Sequence, residues 1–323
     1  MRIAYFGDGP WAHRTLDRLL AEDAHEVRVV VPRYDTQDPE LRRRADAHGI
    51  DFLPLENVNA PDSLERLAVY GADLLVSMSF NQILRSKILE LCPLGAINCH
   101  AGALPYYRGR NILNWVLIND EPEFGVTVHY MDEGIDTGDI ILQRMSPITD
   151  ADTYATLLER AIELCAETLY DAISLLAAGR APRIDQTTIH PVGFYTGRRF
   201  GDDVWIDWSW SSRQIFNFVR GLTLPSPGAL TAVDGAELRV IRAELIPDAP
   251  NYLSTPGEVV GRDGEVVTVK TGDNTIALTD IRSDADLRLR IGTRMQSPSD
   301  VRLAALESRI ARLERDARER GPS

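Results

Sequence analysis

The first 180 residues alternate between two textures of apolar and polar positions. The runs RIAYFG, EVRVVVP, DFLPL and ADLLVSMSF are rich in apolar, β-branched and aromatic residues, and segments with apolar residues at helical spacing follow them, as in WAHRTLDRLLAEDAH, residues 41–47 and SLERLAVYGA. The near-continuous apolar run ADLLVSMSF is what a strand covered on both faces requires. A helix over residues 85–91, a strand over 95–100, the loop GALPYYRGR and a helix over 111–119 come next, then two extended stretches, GVTVHYMD and DIILQRMS, and a long amphipathic helix over 151–178. Strand alternating with helix predicts an α/β domain on a parallel sheet, spanning 1–180.

Residues 181–202 read as a polar connector with Pro182, Pro191 and several glycines. After one more helix, over 211–221, the short β-type runs ALTAVD, ELRVIRAEL, GEVVGRDGEVVTVKT and TIALTDIR are separated by DG and GD turn signals, which predicts a small β-barrel-like domain over 203–296. In the last segment, 297–323, Leu303, Leu306, Ile310, Leu313 and Ala317 fall at alternating spacings of three and four with Arg and Glu between them. The pattern suits a short coiled coil and equally an amphipathic helix lying on its own domain.

Composition narrows the class. The 323 residues carry 35 Lys+Arg against 48 Asp+Glu, a formal net charge of −13, with 44% hydrophobic and 26% charged residues. This supports real cores and excludes a chain disordered throughout. No apolar run approaches the roughly 18 to 20 residues of a membrane span, and the opening MRIAYFGDG lacks the apolar core of a signal peptide, so a cytoplasmic protein with no membrane partner is expected. Cys92, Cys99 and Cys165 are too few and too unpatterned for a disulfide framework or a zinc site, and no metal is expected. The acidic balance argues against nucleic acid as main partner, because phosphate backbones are gripped by a Lys/Arg surplus.

Two motifs bear on chemistry. Gly7-Asp8-Gly9-Pro10-Trp11-Ala12 follows a strand, precedes a helix and fits G-x-G-x-x-A, with Asp35 near the end of the second strand as a ribose ligand for NAD(P). Yet Pro10 removes one backbone donor, and any doubly wound fold needs glycines at this turn for steric reasons. The second motif is GAINCHAGALPYYRGRNILNW. Asn98 and His100 stand at the end of its strand, and period-2 alternation points them to one side with Cys99 on the other. A neutral imidazole accepts a proton near pH 7, and a carboxamide donates to a developing oxyanion without changing charge, so the pair suits addition to a carbonyl. The same residues also suit a strand cap and a turn, and taken alone they leave both readings open.

Asn98-x-His100, Leu104-Pro105-x-Tyr107-Arg108-Gly109 and Gly134-Ile135-Asp136-Thr137-Gly138 together resemble the catalytic signature of the folate-dependent formyltransferases. The likeness continues through Gly197-Arg198-Arg199, Ile206-Asp207-Trp208 and Pro225-Ser226-Pro227-Gly228-Ala229, so it covers most of the chain. It implies a Rossmann-like catalytic domain of formyltransferase topology, a small C-terminal OB-like β domain, and transfer of a formyl group from 10-formyltetrahydrofolate to a primary amine, with no metal. It also implies that Asn98 donates to the oxyanion, His100 takes the proton of the attacking amine and Asp136 supports His100. By the same resemblance the folate lies against Ser79, Phe80, Asn81, Ile83 and Leu84, with Met131, Asp132, Gly134 and Asp139 as the other wall. One departure is visible: many members have His-Gly-Ser-Leu-Leu-Pro where this chain has His100-Ala101-Gly102-Ala103-Leu104-Pro105.

The tRNA-acting members, the methionyl-tRNA formyltransferases, carry a basic inserted loop after the second strand. Here VPRYDTQDPELRRRADAHG is short, with its only basic cluster at Arg42, Arg43 and Arg44. A small acceptor is therefore expected, and NCHAGALPYYRGRNILNW, HYMDEGIDTGDIILQ and DDVWIDWSWS look most like enzymes that formylate amino sugars carried on dTDP for surface polysaccharides. The acceptor so implied is a 3- or 4-amino-dideoxyhexose. Gly9, Tyr107, Arg108 and Arg110 are expected near it, Arg198 and Arg199 on its diphosphate, and Tyr195 or Trp205 on its base. A homodimer is expected as well.

Overall fold

Apolar residues on both faces of consecutive strands assemble the first sheet. In chain order its strands are β1 (Arg2–Gly7), β2 (Glu26–Pro32), β3 (Asp51–Phe52), β4 (Leu74–Met78) and β5 (Ala96–His100); all five residues of β4 and five of the six in β1 are buried. Helix α1 (Gly9–Leu20) places Ala12, Thr15, Leu16 and Leu19 on one buried stripe, and α2 (Pro39–Ala47), α3 (Pro61–Ala68) and the short α4 (Ser86–Leu89) alternate with the strands as expected. A two-residue β6 (Arg108–Gly109), α5 (Ile112–Ile118), β7 (Glu123–Tyr130), β8 (Ile140–Pro147), α6 (Tyr154–Ala177) and β9 (Tyr195–Thr196) follow.

The computed structural model describes residues 1–285 and 287–320, with side chains described as far as Arg315. The chain divides into two compact units. The first comprises Met1–Leu113, Pro122–Thr149 and Thr156–Gly197; the second comprises Asn114–Glu121, Asp150–Ala155 and the chain from Arg198 onward. The first holds a seven-stranded sheet in the order β3-β2-β1-β4-β5-β7-β8. Strands β1 to β5 run parallel, whereas β7 pairs antiparallel with both β5 and β8. The parallel part is the one that alternating strand and helix predict. The nine residues 131–139 joining β7 to β8 are too few for a crossover and impose a hairpin instead. Because β1 lies between β2 and β4, the strand order reverses there, and the carboxyl ends of β1, β4 and β5 lie side by side along one edge. The stretch expected as a connector is structured as far as β9, which pairs parallel with β6, and Ile184 bridges Ile140.

The second unit contains α7 (Ser212–Leu222) and a five-stranded antiparallel sheet, β10 (Ala229–Val233), β11 (Ala236–Leu245), β12 (Val259–Asp263), β13 (Val266–Lys270) and β14 (Thr275–Arg282), ordered β10-β11-β14-β13-β12. Gln296 bridges Ala232 of β10 and Arg294 bridges Glu258 beside β12, so one short segment links the two edges of the sheet in an OB-like closure. Helix α7 covers it with Ile215, Phe218, Val219 and Leu222, and Trp208 donates its indole N–H to Thr231 Oγ1 at 3.0 Å. A last helix, α8 (Pro298–Arg320), begins at a reciprocal cap between Ser297 and Asp300. Leu303, Leu306, Ile310 and Leu313 on it are 55–59% exposed, so this stripe does not lie on its own domain; the side chain of Ala317 falls outside the described residues. Among the described residues no helix is long and apolar enough to cross a membrane.

The glycine-rich turn after β1 has a structural explanation. A Cβ at Gly7 would lie 2.7 Å from Ala12 Cβ, so glycine sets the close approach of α1 to the strand. Gly9 has φ +69° and donates its N–H to Asp38 Oδ2 at 2.8 Å. The same carboxylate accepts from the backbone of Glu40 and Leu41 at the start of α2 and contacts His13 Nε2 at 2.6 Å. Asp38 thus occupies the helix terminus where a dinucleotide would place its pyrophosphate. Asp35, the expected ribose ligand, accepts from Asn81 Nδ2. Burial works to raise the Asp38 carboxyl, but the Leu41 and Gly9 N–H groups and His13 outweigh it and hold it low. Asp38→Ala should lower unfolding free energy by about 2 kcal/mol in denaturant titrations at pH 7, since it uncaps two helices. Because the folded-state pKa is depressed, that difference should shrink as pH falls below the ordinary carboxylate value near 3.9.

Candidate active site

Strand pairing places the reacting groups. In the β5–β7 ladder Asn98 sits opposite His129, while Cys99 faces away and points its Sγ at the Cys165 carbonyl, 3.7 Å off. His100 ends β5 and is 8% exposed. Asp136, in the loop after β7 with φ +55°, reaches back: its Oδ2 is 3.5 Å from His100 Nδ1 and its Oδ1 is 3.5 Å from His129 Nε2. The structure therefore gathers Asn98, His100 and Asp136 and adds a fourth group, His129, that sequence reasoning passed over.

Hydrogen bonding assigns each ring. His100 Nε2 lies 2.7 Å from the Tyr107 carbonyl and so carries the hydrogen, leaving Nδ1 of the neutral ring bare toward Asp136. A proton arriving at Nδ1 would find the carboxylate waiting. His129 Nδ1 donates to its neighbour's carbonyl, Tyr130 O, at 2.7 Å, and Nε2 accepts from Asn98 Nδ2 at 3.3 Å. The carboxamide nitrogen has a second hydrogen left for an oxyanion. Burial holds His100 below the usual imidazole range, against the opposing pull of Asp136 and the Tyr107 carbonyl. Burial would raise Asp136, but His129, His100 and the Gly109 N–H, donated at 2.9 Å, outweigh it and bring the carboxyl to about 2. Near pH 7 the site thus pairs a neutral proton acceptor with an ionised carboxylate.

A second unforeseen residue, Gln186, ties the surrounding loops together. It is buried; its Nε2 donates to the carbonyls of Asp136 and Gly138 at 2.9 and 2.8 Å, and its Oε1 accepts from Arg108 at 2.6 Å. No motif marks it, since it lies in the stretch that reads as a polar connector. His129 did carry a signal: it alternates with Thr127 and Met131 along GVTVHYMD, but only the pairing with β5 shows which residues it faces.

The expected folate segment follows β4. Ser79 has φ +58°, and its carbonyl accepts two bonds from Arg33 at 2.6 and 2.9 Å. Phe80 is half-buried and meets Phe6 edge-on at 5.3 Å, Asn81 is held by Asp35, and Ile83 is 64% exposed with its carbonyl bonded by Asn59. Leu84 is only 3% exposed and packs in the core, so its side chain is spent there, with Phe80 and Met131 packed against the same cluster. On the other wall Asp132 Oδ1 accepts from Gly134 N and Thr137 Oγ1, and Asp139 faces Arg183 at 3.4 Å. Of the expected acceptor contacts, Tyr107 is buried against Phe194 and touches His100 through its carbonyl, Arg108 bonds Gln186, Arg110 and Tyr195 are exposed, and Gly9 is bonded to Asp38. Arg198, Arg199 and Trp205 belong to the second unit. Arg198 is exposed there, Trp205 bridges Leu230, and Arg199 lies 5.7 Å from the Trp115 ring with Nε and Nη1 buried and without a hydrogen-bond partner among the described residues. Burial pushes the Arg199 guanidinium down to about 10.

A doubly wound sheet with a carboxamide, two imidazoles and an ionised carboxylate at one strand end defines a class of enzymes built for acyl-type transfer through an oxyanion. Residues 1–173 match the Formyl transferase family and residues 201–296 match Formyl transferase, C-terminal domain; the chain belongs to the formyl transferase family and is an N-formyltransferase. It is 35% identical over 302 residues to a methionyl-tRNA formyltransferase of Citrifermentans bemidjiense, covering 90% of this chain and 92% of that one. It is 33% identical over 322 residues to that of Geobacter sulfurreducens, covering 93% and 98%. Among solved structures it shares its fold, at 20% identity and TM-score 0.66, with an N-formyltransferase of Helicobacter canadensis in complex with folinic acid and dTDP-3-aminofucose, over 87% of this chain and 99% of that one. It also shares it, at 20% identity and TM-score 0.63, with the sugar 3N-formyl transferase WlaRD, solved with dTDP and 5-N-formyl-THF, over 89% and 99%.

The departure from the family loop now has a geometric meaning. A Cβ at Gly102 would lie 2.5 Å from His100 Nε2 and 2.8 Å from the Tyr107 oxygen, the two atoms of the bond that fixes the ring. Gly102→Ser should displace the imidazole and reduce kcat at least tenfold, with little change in the melting temperature; steady-state kinetics beside thermal unfolding check it.

Proposed function

We propose that this enzyme transfers a formyl group from 10-formyltetrahydrofolate to the amine of a nucleotide-linked amino-deoxy sugar, a dTDP-3- or 4-amino-dideoxyhexose, in the cytoplasm and for surface polysaccharide synthesis. The donor set fits the folate. The turn at Ser79, the half-buried Phe80 and Met131 on one apolar cluster, and the polar loop 131–139 supply a flat apolar wall with backbone groups at its edge. When bound, the folate supplies an electrophilic one-carbon unit. His100 Nδ1 takes the proton that the attacking amine loses and gives it up to the folate nitrogen when the bond from that nitrogen to the formyl carbon breaks, Asp136 stabilises the imidazolium formed in between, and the second Asn98 Nδ2 hydrogen meets the formyl oxygen as it gains charge. His129 holds the carboxamide in place and is a positioning residue.

The observation that carries the choice of acceptor is the fate of the basic cluster in α2. Arg42 stacks over the Phe52 ring at 4.2 Å, Arg43 pairs with Glu40 at 2.8 Å, and Arg44 pairs with Asp17 at 2.8 Å. All three are engaged within the chain, and at a net charge of −13 a tRNA would meet repulsion over much of the surface. The methionyl-tRNA reading is favoured by the 35% identity to the Citrifermentans bemidjiense enzyme over nearly the whole of both chains, and it is the alternative the experiment must separate.

Folate release followed by absorbance, with mass spectrometry for a one-formyl gain, should show turnover of dTDP-amino sugars and none of charged initiator tRNA; turnover of tRNA alone would refute the acceptor assignment. His100→Ala should lower kcat by roughly 10² to 10⁴. Since burial depresses the His100 pKa and Asp136 raises it, the acidic limb of kcat/KM should fall below pH 6.5. Asp136→Asn removes the raising influence, so the limb should move to still lower pH while the plateau rate drops, a shift read from the full pH profile.

A further inference from the structure

Helix α8 presents an apolar stripe that none of the described residues covers, and its charged residues specify what does. With Leu303 and Ile310 at heptad position a and Leu306 and Leu313 at d, the two g positions are Arg302 and Arg309 and the two e positions are Glu307 and Glu314. In a parallel pair of such helices each g residue faces the e residue of the following heptad on the other strand. That sets Arg302 against Glu307 and Arg309 against Glu314, on both sides of the seam. In an antiparallel pair g faces g and e faces e, which sets Arg against Arg and Glu against Glu. A β-branched residue with leucines around it, Ile310 at a between Leu306 and Leu313 at d, favours two strands over three or four.

We infer that α8 is the interface for a second copy of this chain, joined as a parallel two-stranded coiled coil. The four apolar side chains, each more than half exposed in the single chain, lose that surface to the seam, which drives association; the flanking pairs are solvent-exposed and contribute orientation more than affinity. The helix is ready for this role before association. Its first turn is capped by Ser297 and Asp300, Pro298 stands at its first position, and Arg302 is anchored by Asp202 of the same unit. Arg309 and Glu314 are exposed and form the pair on which the orientation turns.

Sedimentation velocity on the full chain tests it. The wild type should be a dimer that dissociates on dilution, and Ile310→Asp should be a monomer that retains its melting temperature and formyl transfer, since the substitution lies on an exposed helix face. Arg309→Glu and Glu314→Arg each set two like charges across the seam and should weaken the dimer about tenfold at low salt, while an equimolar mixture of the two variants should recover the wild-type affinity. Leu313→Cys should form an interchain disulfide under mild oxidation in a parallel pair. A monomeric wild type at 100 μM concentration overturns the proposal, as does a dimer unaffected by Ile310→Asp, weakening that the mixture fails to repair, or a dimer in which Leu313→Cys does not cross-link.

Discussion

An ionised carboxylate held between two imidazoles, out of water, is the interaction on which the rest of the site depends. Burial alone would push the Asp136 carboxyl up, because it disfavours the charge. It stays ionised because the Gly109 N–H donates to it at 2.9 Å and both imidazoles stand 3.5 Å from its oxygens as groups able to take up positive charge. The consequence runs outward to His100. Its neutral ring faces the carboxylate with a bare nitrogen, an arrangement with little attraction until a proton arrives, when the two become a buried ion pair. A site organised this way is set up to receive a proton during the reaction rather than to hold one beforehand.

The fold's contribution is to bring four residues from three segments to one strand end and keep them there. Strand β5 supplies Asn98 and His100 on one side of its pleat, β7 sets His129 opposite Asn98, and the hairpin that makes β7 antiparallel returns the chain so that Asp136 lies over both rings. Gln186 then ties the Asp136 loop to Arg108, next to the Tyr107 carbonyl that fixes the ring of His100. Gly102 belongs to the same set of constraints, since on this backbone a Cβ there would lie 2.5 Å from His100 Nε2 and 2.8 Å from the Tyr107 oxygen.

Much of this was legible in the chain itself. The alternation of strand and helix, the change of texture after residue 200 and the spacing of Asn98, His100 and Asp136 are local patterns, and local patterns survive in a sequence. What escaped depends on pairings between distant segments. His129 looks like any polar residue in an extended run until the β5–β7 register is known, and Gln186 sits in a stretch whose composition signals a linker. The turn after β1 is the converse case. Its glycines fit a phosphate-binding fingerprint, but the anion they serve is Asp38, a residue of the same chain, and no spacing rule announces that a carboxylate 29 residues on will cap the helix. The direction of β7 was likewise a matter of linker length rather than of strand composition.

Nitrogen NMR on histidine-labelled protein reads the central claim directly, since the chain has six histidines to resolve. His100 should be neutral at pH 7, with its hydrogen on Nε2 and a bare Nδ1, and should gain its second proton below the ordinary imidazole value. An imidazolium at pH 7, or a neutral ring with the hydrogen on Nδ1, would contradict the account.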